Sequence, residues 1–143
     1  MKTRYSSLVN VKKNIVQKSE RALQRANANL KNAEAALELS LNALGDIKSP
    51  EVGQISDFLS SRMLLDTQRN LIKHNEEWVS FANDEILKAK EELKYNMIEY
   101  EKFNYLEVEE IKKIIKLEKI AEAKELDEVA LMTYSNKLKK ELL

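Results

Sequence analysis

Along residues 100–130, YEKFNYLEVEEIKKIIKLEKIAEAKELDEVA, apolar side chains recur three or four apart. They are Phe103, Leu106 or Val108, Ile111, Ile114 or Ile115, Leu117, Ile120, Leu126 and Val129. This is the apolar face of a helix that needs a partner. A second series, near the start, runs Leu8, Val11, Ile15, Ser19, Ala22, Ala26, Leu30, Ala33, Leu37, Leu41 and Leu44. Its steps of three, four and four repeat every eleven residues, which predicts a nearly straight helix pair rather than a left-handed supercoil. The Ala and Ser in its middle allow close approach. A third series supplies the complement: Leu59, Leu64 or Met63, Leu71, Ile72, Val79, Ala82, Ile86, Ala89, Leu93 and Met97.

Only one stretch interrupts these patterns. Both glycines and the single proline fall in GDIKSPEVG, residues 45–53. Gly45 reads as the residue just past a helix C-terminus. Ser49-Pro50-Glu51 reads as N-cap, first helical residue and first-turn acid, with Ser56-Asp57 after Gly53 as the other possible start. The expected fold is all-α, a single domain over residues 1–143. One helix spans about residues 3–44, with a turn at about 45–53. The second helix, much longer, starts at Pro50 or about residue 54 and runs to 142. A short loop makes the two antiparallel neighbours in a coiled-coil hairpin. A turn near Lys48 sets Leu44 near Leu59 and Leu8 near Leu93. It also sets Arg21 and Arg25 near Glu76 and Glu77.

Composition agrees. With two glycines, one proline and 34% charged residues, the chain has the profile of long helices and lacks the turns of a sheet protein. Residues 1–45 carry eight basic and three acidic groups, and residues 46–100 carry seven basic and eleven acidic. That bias favours antiparallel pairing, although an exposed ion pair contributes only about 0.2–1 kcal/mol. The 24 basic and 24 acidic residues balance, so a general nucleic-acid binder is not expected. No run of 18 apolar residues predicts a transmembrane segment. The start, MKTRYSSLVNVKKNIVQ, lacks a signal-peptide apolar core. The absence of cysteine fits a cytoplasmic protein.

No catalytic or cofactor chemistry is expected. His74 is the only histidine and has no cysteine to join it, so it reads as a residue on a solvated helix face. There is no glycine loop to cradle phosphate and no Ser-His-Asp or Cys-His set. The chain reads as a non-enzyme without cofactor or metal. Two features point instead to partners. Trp78 and Phe81, in EEWVSF, cannot share one narrow seam, so at least one sits at its edge as a possible aromatic anchor. FLSSRMLL, residues 58–65, holds more apolar residues than one seam absorbs, which suggests a binding patch at the hairpin tip.

The opening YSSLVNVKK, a break one third along and a long second helix resemble the flagellar export protein family FliJ. EYEKFNYLEVEEIKK, followed by KELDEVA, resembles that family's acidic and aromatic C-terminal segment with its LDE-like motif. The resemblance implies a soluble stalk of the flagellar type III export ATPase, similar in architecture to the γ stalk of rotary ATPases. The end carrying both termini would enter the hexameric ATPase ring and promote its assembly and activity. The tip would contact the cytoplasmic domain of the membrane export gate, and export chaperones would be escorted. This implies a cytoplasmic protein peripherally associated with the inner-membrane export apparatus.

On this resemblance the ring-binding candidates are Arg4, Tyr5, Phe103, Tyr105, Leu106, Glu109, Glu110, Leu126, Asp127 and Glu128. The gate-binding region at the tip holds Leu39, Leu41, Leu44, Phe58, Arg62, Met63, Leu65 and Arg69. Trp78 and Phe81 are the candidate chaperone contact. The first arm is used up near Tyr100, leaving about 40 residues, or about 60 Å of helix, without a cover. Ring insertion would cover them. So would a fold-back or a dimer seam in a generic self-associating coiled coil.

Overall fold

The computed structural model describes residues 2–142. Two helices form an antiparallel hairpin, α1 (Ser6–Asp46) and the much longer α2 (Ile55–Leu142). α1 begins three residues later than the pattern predicts, because Thr3 caps it. The Thr3 hydroxyl oxygen accepts from Tyr5 N at 3.1 Å, while Thr3 N donates to Ser6 Oγ at 2.8 Å. Together these satisfy backbone donors that a helix start leaves free.

The break also differs from expectation. Gly45 is the penultimate residue of α1, and no described glycine has positive φ, so its expected role beyond the C-terminus is corrected. The end closes instead by a tight bond from Ile47 N to Leu44 O, 3.3 Å. Nor does α2 start at Pro50. Gln54 is its cap: Asp57 N and Phe58 N donate to Gln54 O, and Gln54 N donates to Asp57 Oδ2 at 3.1 Å. A start at Pro50 would put Gly53 inside the first turn, at a cost of about 1 kcal/mol. As it stands, a Cβ on Gly53 would lie 2.9 Å from Asp57 Oδ2, so glycine leaves room for the capping carboxylate.

The chain divides into two units, Asn14–Ile98 and Met1–Lys13 with Glu99–Leu143. In the first, the covered positions of α1 are Val16, Ser19, Leu23, Ala26, Leu30, Ala33, Leu37, Ser40 and Leu44, flanked by the half-covered Ile15, Ala22 and Ala36. Those of α2 are Ser61, Leu65, Gln68, Ile72, Asn75, Val79, Ala82, Ile86, Ala89, Leu93 and Asn96, with the half-covered Glu85 beside them. Steps of three and four alternate strictly, which is a seven-residue repeat of the left-handed coiled-coil type. The eleven-residue reading is therefore corrected. Its positions from Ile15 to Leu37 and Leu44 are covered, but it leaves the seam at Leu8, Val11 and Leu41, and Ser40 is the buried neighbour of Leu41. Leu41 is exposed, as are Leu59, Met63, Leu64, Leu71 and Met97 of the expected complement. Ala26, Ala33 and Ala82 are buried, as close approach requires.

Polar side chains on the seam fix the register. Asn75 Nδ2 donates to Ala36 O at 3.2 Å and to Ser40 Oγ at 3.1 Å. Gln68 Nε2 donates to Ser40 O at 2.8 Å, and Asn96 Nδ2 donates to Ser19 Oγ at 2.6 Å. A turn at Lys48 would have set Ser19 beside Phe81, four turns away. The expected pairing of Leu44 with Leu59 and of Arg21 and Arg25 with Glu76 and Glu77 fails for the same reason. Arg25 shares a groove with Glu92 instead, and Arg21 Nε donates to Gln17 O. The error came from counting the break as a symmetric turn. Residues 47–54 and the first turns of α2 have no helix opposite them.

In the other unit, the first turns of α1 pack on α2 from Glu99. Val9 is buried. The Lys12 ammonium stands 5.5 Å from the Phe103 ring centre and 4.0 Å from Glu99. Ser6 Oγ donates to Glu107 Oε1 at 2.7 Å, and Arg4 pairs with Glu110 at 3.7 Å. Both ion pairs between the two arms among the described residues join a cation of the first arm, Arg4 or Lys12, to an α2 carboxylate, and of these only Lys12–Glu99 falls in the stretches whose charge bias was counted. Partial cover ends at Ile114, so Leu8 lies at the level of the Tyr105 turn rather than near Leu93.

Candidate functional site

From Ile115 to Leu142 every described residue is exposed. Leu117, Ile120, Leu126, Val129, Leu131, Met132 and Tyr134 are each more than half exposed. The seven-residue apolar pattern runs on only to Leu117 and Ala121 before Lys124 and Glu128 take its positions. Another order replaces it. Ile114, Leu117, Ile120, Ala123, Leu126, Val129 and Met132 fall every third residue. With 3.6 residues per turn, each step of three falls about 60° short of a full turn. Six steps carry the apolar series once around the helix. No single face of a neighbouring helix can cover such a winding. A surface that encircles the helix can.

The residues expected to meet a ring divide accordingly. Leu126, Asp127, Glu128 and Tyr105 are exposed. Phe103, Leu106, Glu109 and Glu110 are half-covered: Phe103 by Lys12, Glu110 by Arg4, with Glu109 bound to Lys112 at 3.4 Å. Arg4 is itself exposed and stands 5.1 Å from the half-covered Tyr5 ring. Of these four, Phe103 and Glu110 hold the start of the first arm, through Lys12 and Arg4. Tyr105, Arg4 and the later positions Leu126, Asp127 and Glu128 are the ones presented.

At the tip, the expected candidates Phe58, Arg62, Met63 and Arg69 are exposed, with Leu39 and Leu41. Leu44 and Leu65 belong to the seam. Val52 and Ile55, which the sequence reading did not single out, and Leu59, which it placed on the seam, add to the exposed apolar surface. Loop residues Ser49 and Pro50 lie against α2, and with Phe58, Ser61, Arg62, Leu65, Asp66 and Arg69 they line an open, mostly polar cleft of about 350 Å³.

On α2, Trp78 is 39% and Phe81 62% exposed, so neither packs in the seam. They line a shallow groove with His74 and Glu77. His74 is on an exposed face. Among the described residues, no three His, Cys, Asp or Glu side chains could hold a metal ion.

The family model described as Flagellar FliJ protein matches residues 1–139. The chain belongs to the flagellar FliJ family. No curated protein matches it, and no solved structure does. Membership makes this FliJ-family chain a component of flagellar protein export. No helix among its described residues is long and apolar enough to cross a membrane. Sequence reasoning missed the polar register pins Asn75, Asn96 and Gln68, because a search for apolar spacing passes over amides. The winding order after Ile114 was legible, since every-third spacing is visible in the sequence, but it was read as one stripe.

Proposed function

We propose that this protein is the non-catalytic stalk of the flagellar type III export apparatus. Its terminal end enters the hexameric export ATPase and promotes assembly and activity, and its hairpin tip contacts the cytoplasmic domain of the export gate. It works in the cytoplasm, peripherally at the inner membrane. The observation that carries this reading is the uncovered apolar series winding around α2 after Ile114. Burying each large apolar side chain stabilises a complex by about 1.5–3 kcal/mol. A hexameric ring supplies contacts in every direction around the helix, whereas a dimer seam supplies one. Family membership gives the same direction.

The test is the ATPase rate of the cognate export ATPase, with hexamer content followed alongside, as full-length protein or a chain ending at Lys116 is added. Ending at Lys116 keeps Phe103, Glu107 and Glu110, so the first turns of α1 remain held. Stimulation by the full-length chain alone is expected. Equal stimulation by both would remove the winding series from the ring.

A second reading, escort of export chaperones, is favoured by the exposure of Trp78 and Phe81. Changing both to Ala should abolish chaperone capture while leaving helicity, by circular dichroism, unchanged. Aromatic anchors of this kind contribute about 2 kcal/mol or more when buried at an interface. Unchanged capture would remove the reading.

A further inference from the structure

Six side chains of α2 form a second stripe beside the seam. Leu64, Thr67, Leu71, His74, Trp78 and Phe81 each stand one position before a covered residue, from Leu65 to Ala82. They therefore share its alternating steps of three and four, and lie about 100° round the helix from it. All six are exposed, Leu64 at 55% and Phe81 at 62%. Apolar spacing assigns Leu64 and Leu71 to the seam itself, but they belong to this outer stripe. The Thr67 hydroxyl donates to Met63 O at 2.9 Å, so its polar group needs no outside partner. Toward the C-terminal end, Trp78 and Phe81 wall a shallow, mostly apolar groove whose lining residues all come from α2. The stripe runs about 25 Å, longer than a single anchoring side chain requires.

The border of this stripe is acidic. Glu77 and Asp84, seven residues apart, run along its outer edge, exposed and without an ion pair among the described residues. Lys88, one turn beyond Asp84, pairs with Glu85 at 3.5 Å instead. The two cations of this stretch, Arg69 and Lys73, project about 120° or more from the centre of the stripe. Across the seam, the bond from Asn75 to Ser40 sets residues 34–44 of α1 opposite, a stretch that holds Glu34 and Glu38 and no Lys or Arg. No cation of α1 compensates the border. A repeat of seven admits the side chains of another helix, and its flanking charges select which one. A second α2 does not answer, since the edge positions Met63, Asn70, Glu77 and Asp84 include no cation.

We propose that the stripe docks an amphipathic helix of a partner protein, with an apolar seven-residue repeat and Lys or Arg beside it, as a third helix against α2. Leu64, Leu71, Trp78 and Phe81 pack among its apolar side chains, and Glu77 and Asp84 meet its cations. The inference rests on the second reading above in using Trp78 and Phe81 as anchors. It adds the form of the occupant, a basic helix, which a contact with two aromatics alone does not require.

The probe is a capped helical peptide of three seven-residue repeats, with Leu at the two seam positions of each repeat, Lys at the positions beside them and no tryptophan. A counterpart carries Glu in place of Lys. Each is titrated into the full-length protein, whose single tryptophan, Trp78, reports contact by its emission. The Lys peptide is expected to shift that emission to the blue and to bind about tenfold more tightly than the Glu peptide. Changing Glu77→Lys and Asp84→Lys together should reverse the order. Leu71→Glu, at a residue exposed in the free chain, should weaken the Lys peptide about tenfold or more at unchanged helicity. No shift with either peptide, equal affinity for both, or an order that survives the charge reversal would overturn the proposal. A blue shift that grows with protein concentration alone, with a doubled mass by light scattering, would give the stripe to a second copy and overturn it too. Chaperone capture is judged apart. If the peptides behave as expected and capture survives the change of Trp78 and Phe81 to Ala, the helix site stands and the chaperone reading falls. If capture is lost but neither peptide binds, the chaperone reading stands and the helix site falls.

Discussion

Replacing Asn75 by Asp is expected to destabilise the hairpin at pH 7 by about 3 kcal/mol, a large share of what a domain this size has in reserve. The two side chains have nearly the same shape, so the change is electrostatic. Asn75 is 6% exposed and donates both to Ala36 O and to Ser40 Oγ. An aspartate there has no proton to give, and its charge faces a carbonyl oxygen. The Ser40 hydroxyl can turn toward it only by releasing Leu37 O. The sign with pH follows. Burial beside an acceptor raises the folded-state pKa of an Asp above its unfolded value of about 3.9. The defect is therefore small below pH 4 and grows as pH rises toward the folded pKa. Denaturant unfolding of the variant and the parent at pH 4 and pH 7 measures it. Equal stability at pH 7 would mean that Asn75 is not held as described. Asn75→Leu separates stability from register. It should unfold no more easily than the parent yet pair less uniquely, because a polar seam residue specifies alignment at some cost in stability.

This prediction also shows what the sequence made legible. Two helices, a single break, their antiparallel order and the greater length of the second follow from the scarcity of Gly and Pro and from apolar spacing. The register does not follow from apolar spacing. Leu41 and Ser40 are adjacent, and hydrophobicity favours Leu41, yet Ser40 is buried at 4% exposure because its hydroxyl and carbonyl are both used. Likewise Lys12 is half-covered through its contact with Phe103, while the neighbouring Val11 is exposed. In a two-helix seam the partner's hydrogen bonds decide such cases, and the partner's register is the unknown. The unequal lengths of covered helix on either side of the break are hidden for the same reason.

The candidate surfaces were legible in a different measure. An excess of apolar residues in FLSSRMLL could be counted, and Phe58, Met63 and Leu64 are indeed exposed. That Pro50 would wall a cleft depends on how the loop lies and cannot be counted from spacing. For the terminal end, Phe103 reads as part of an apolar face and Glu110 as a surface residue, and nothing in the spacing says that Lys12 and Arg4 will reach them.

Single substitutions at Leu117, Ile120, Leu126, Val129 and Met132, each to Glu, are expected to lower ATPase stimulation about tenfold or more apiece. These side chains project about 60° or 120° apart and together sample the circumference of α2. An encircling partner buries all of them, and placing an unpaired carboxylate in each contact costs several kcal/mol. A partner lying along one side would behave otherwise. Leu117 and Leu126 point in opposite directions, as do Ile120 and Val129, so each pair would contain one sensitive and one silent member. Because every one of these residues is exposed in the isolated chain, the substitutions should leave its unfolding unchanged, so a loss of stimulation reports binding and not folding. Stimulation measured against protein concentration separates weaker entry from a failure to activate once bound. Losses confined to one side of the helix would replace the ring bore with a single docked helix. No loss at any position would return the winding series to solvent.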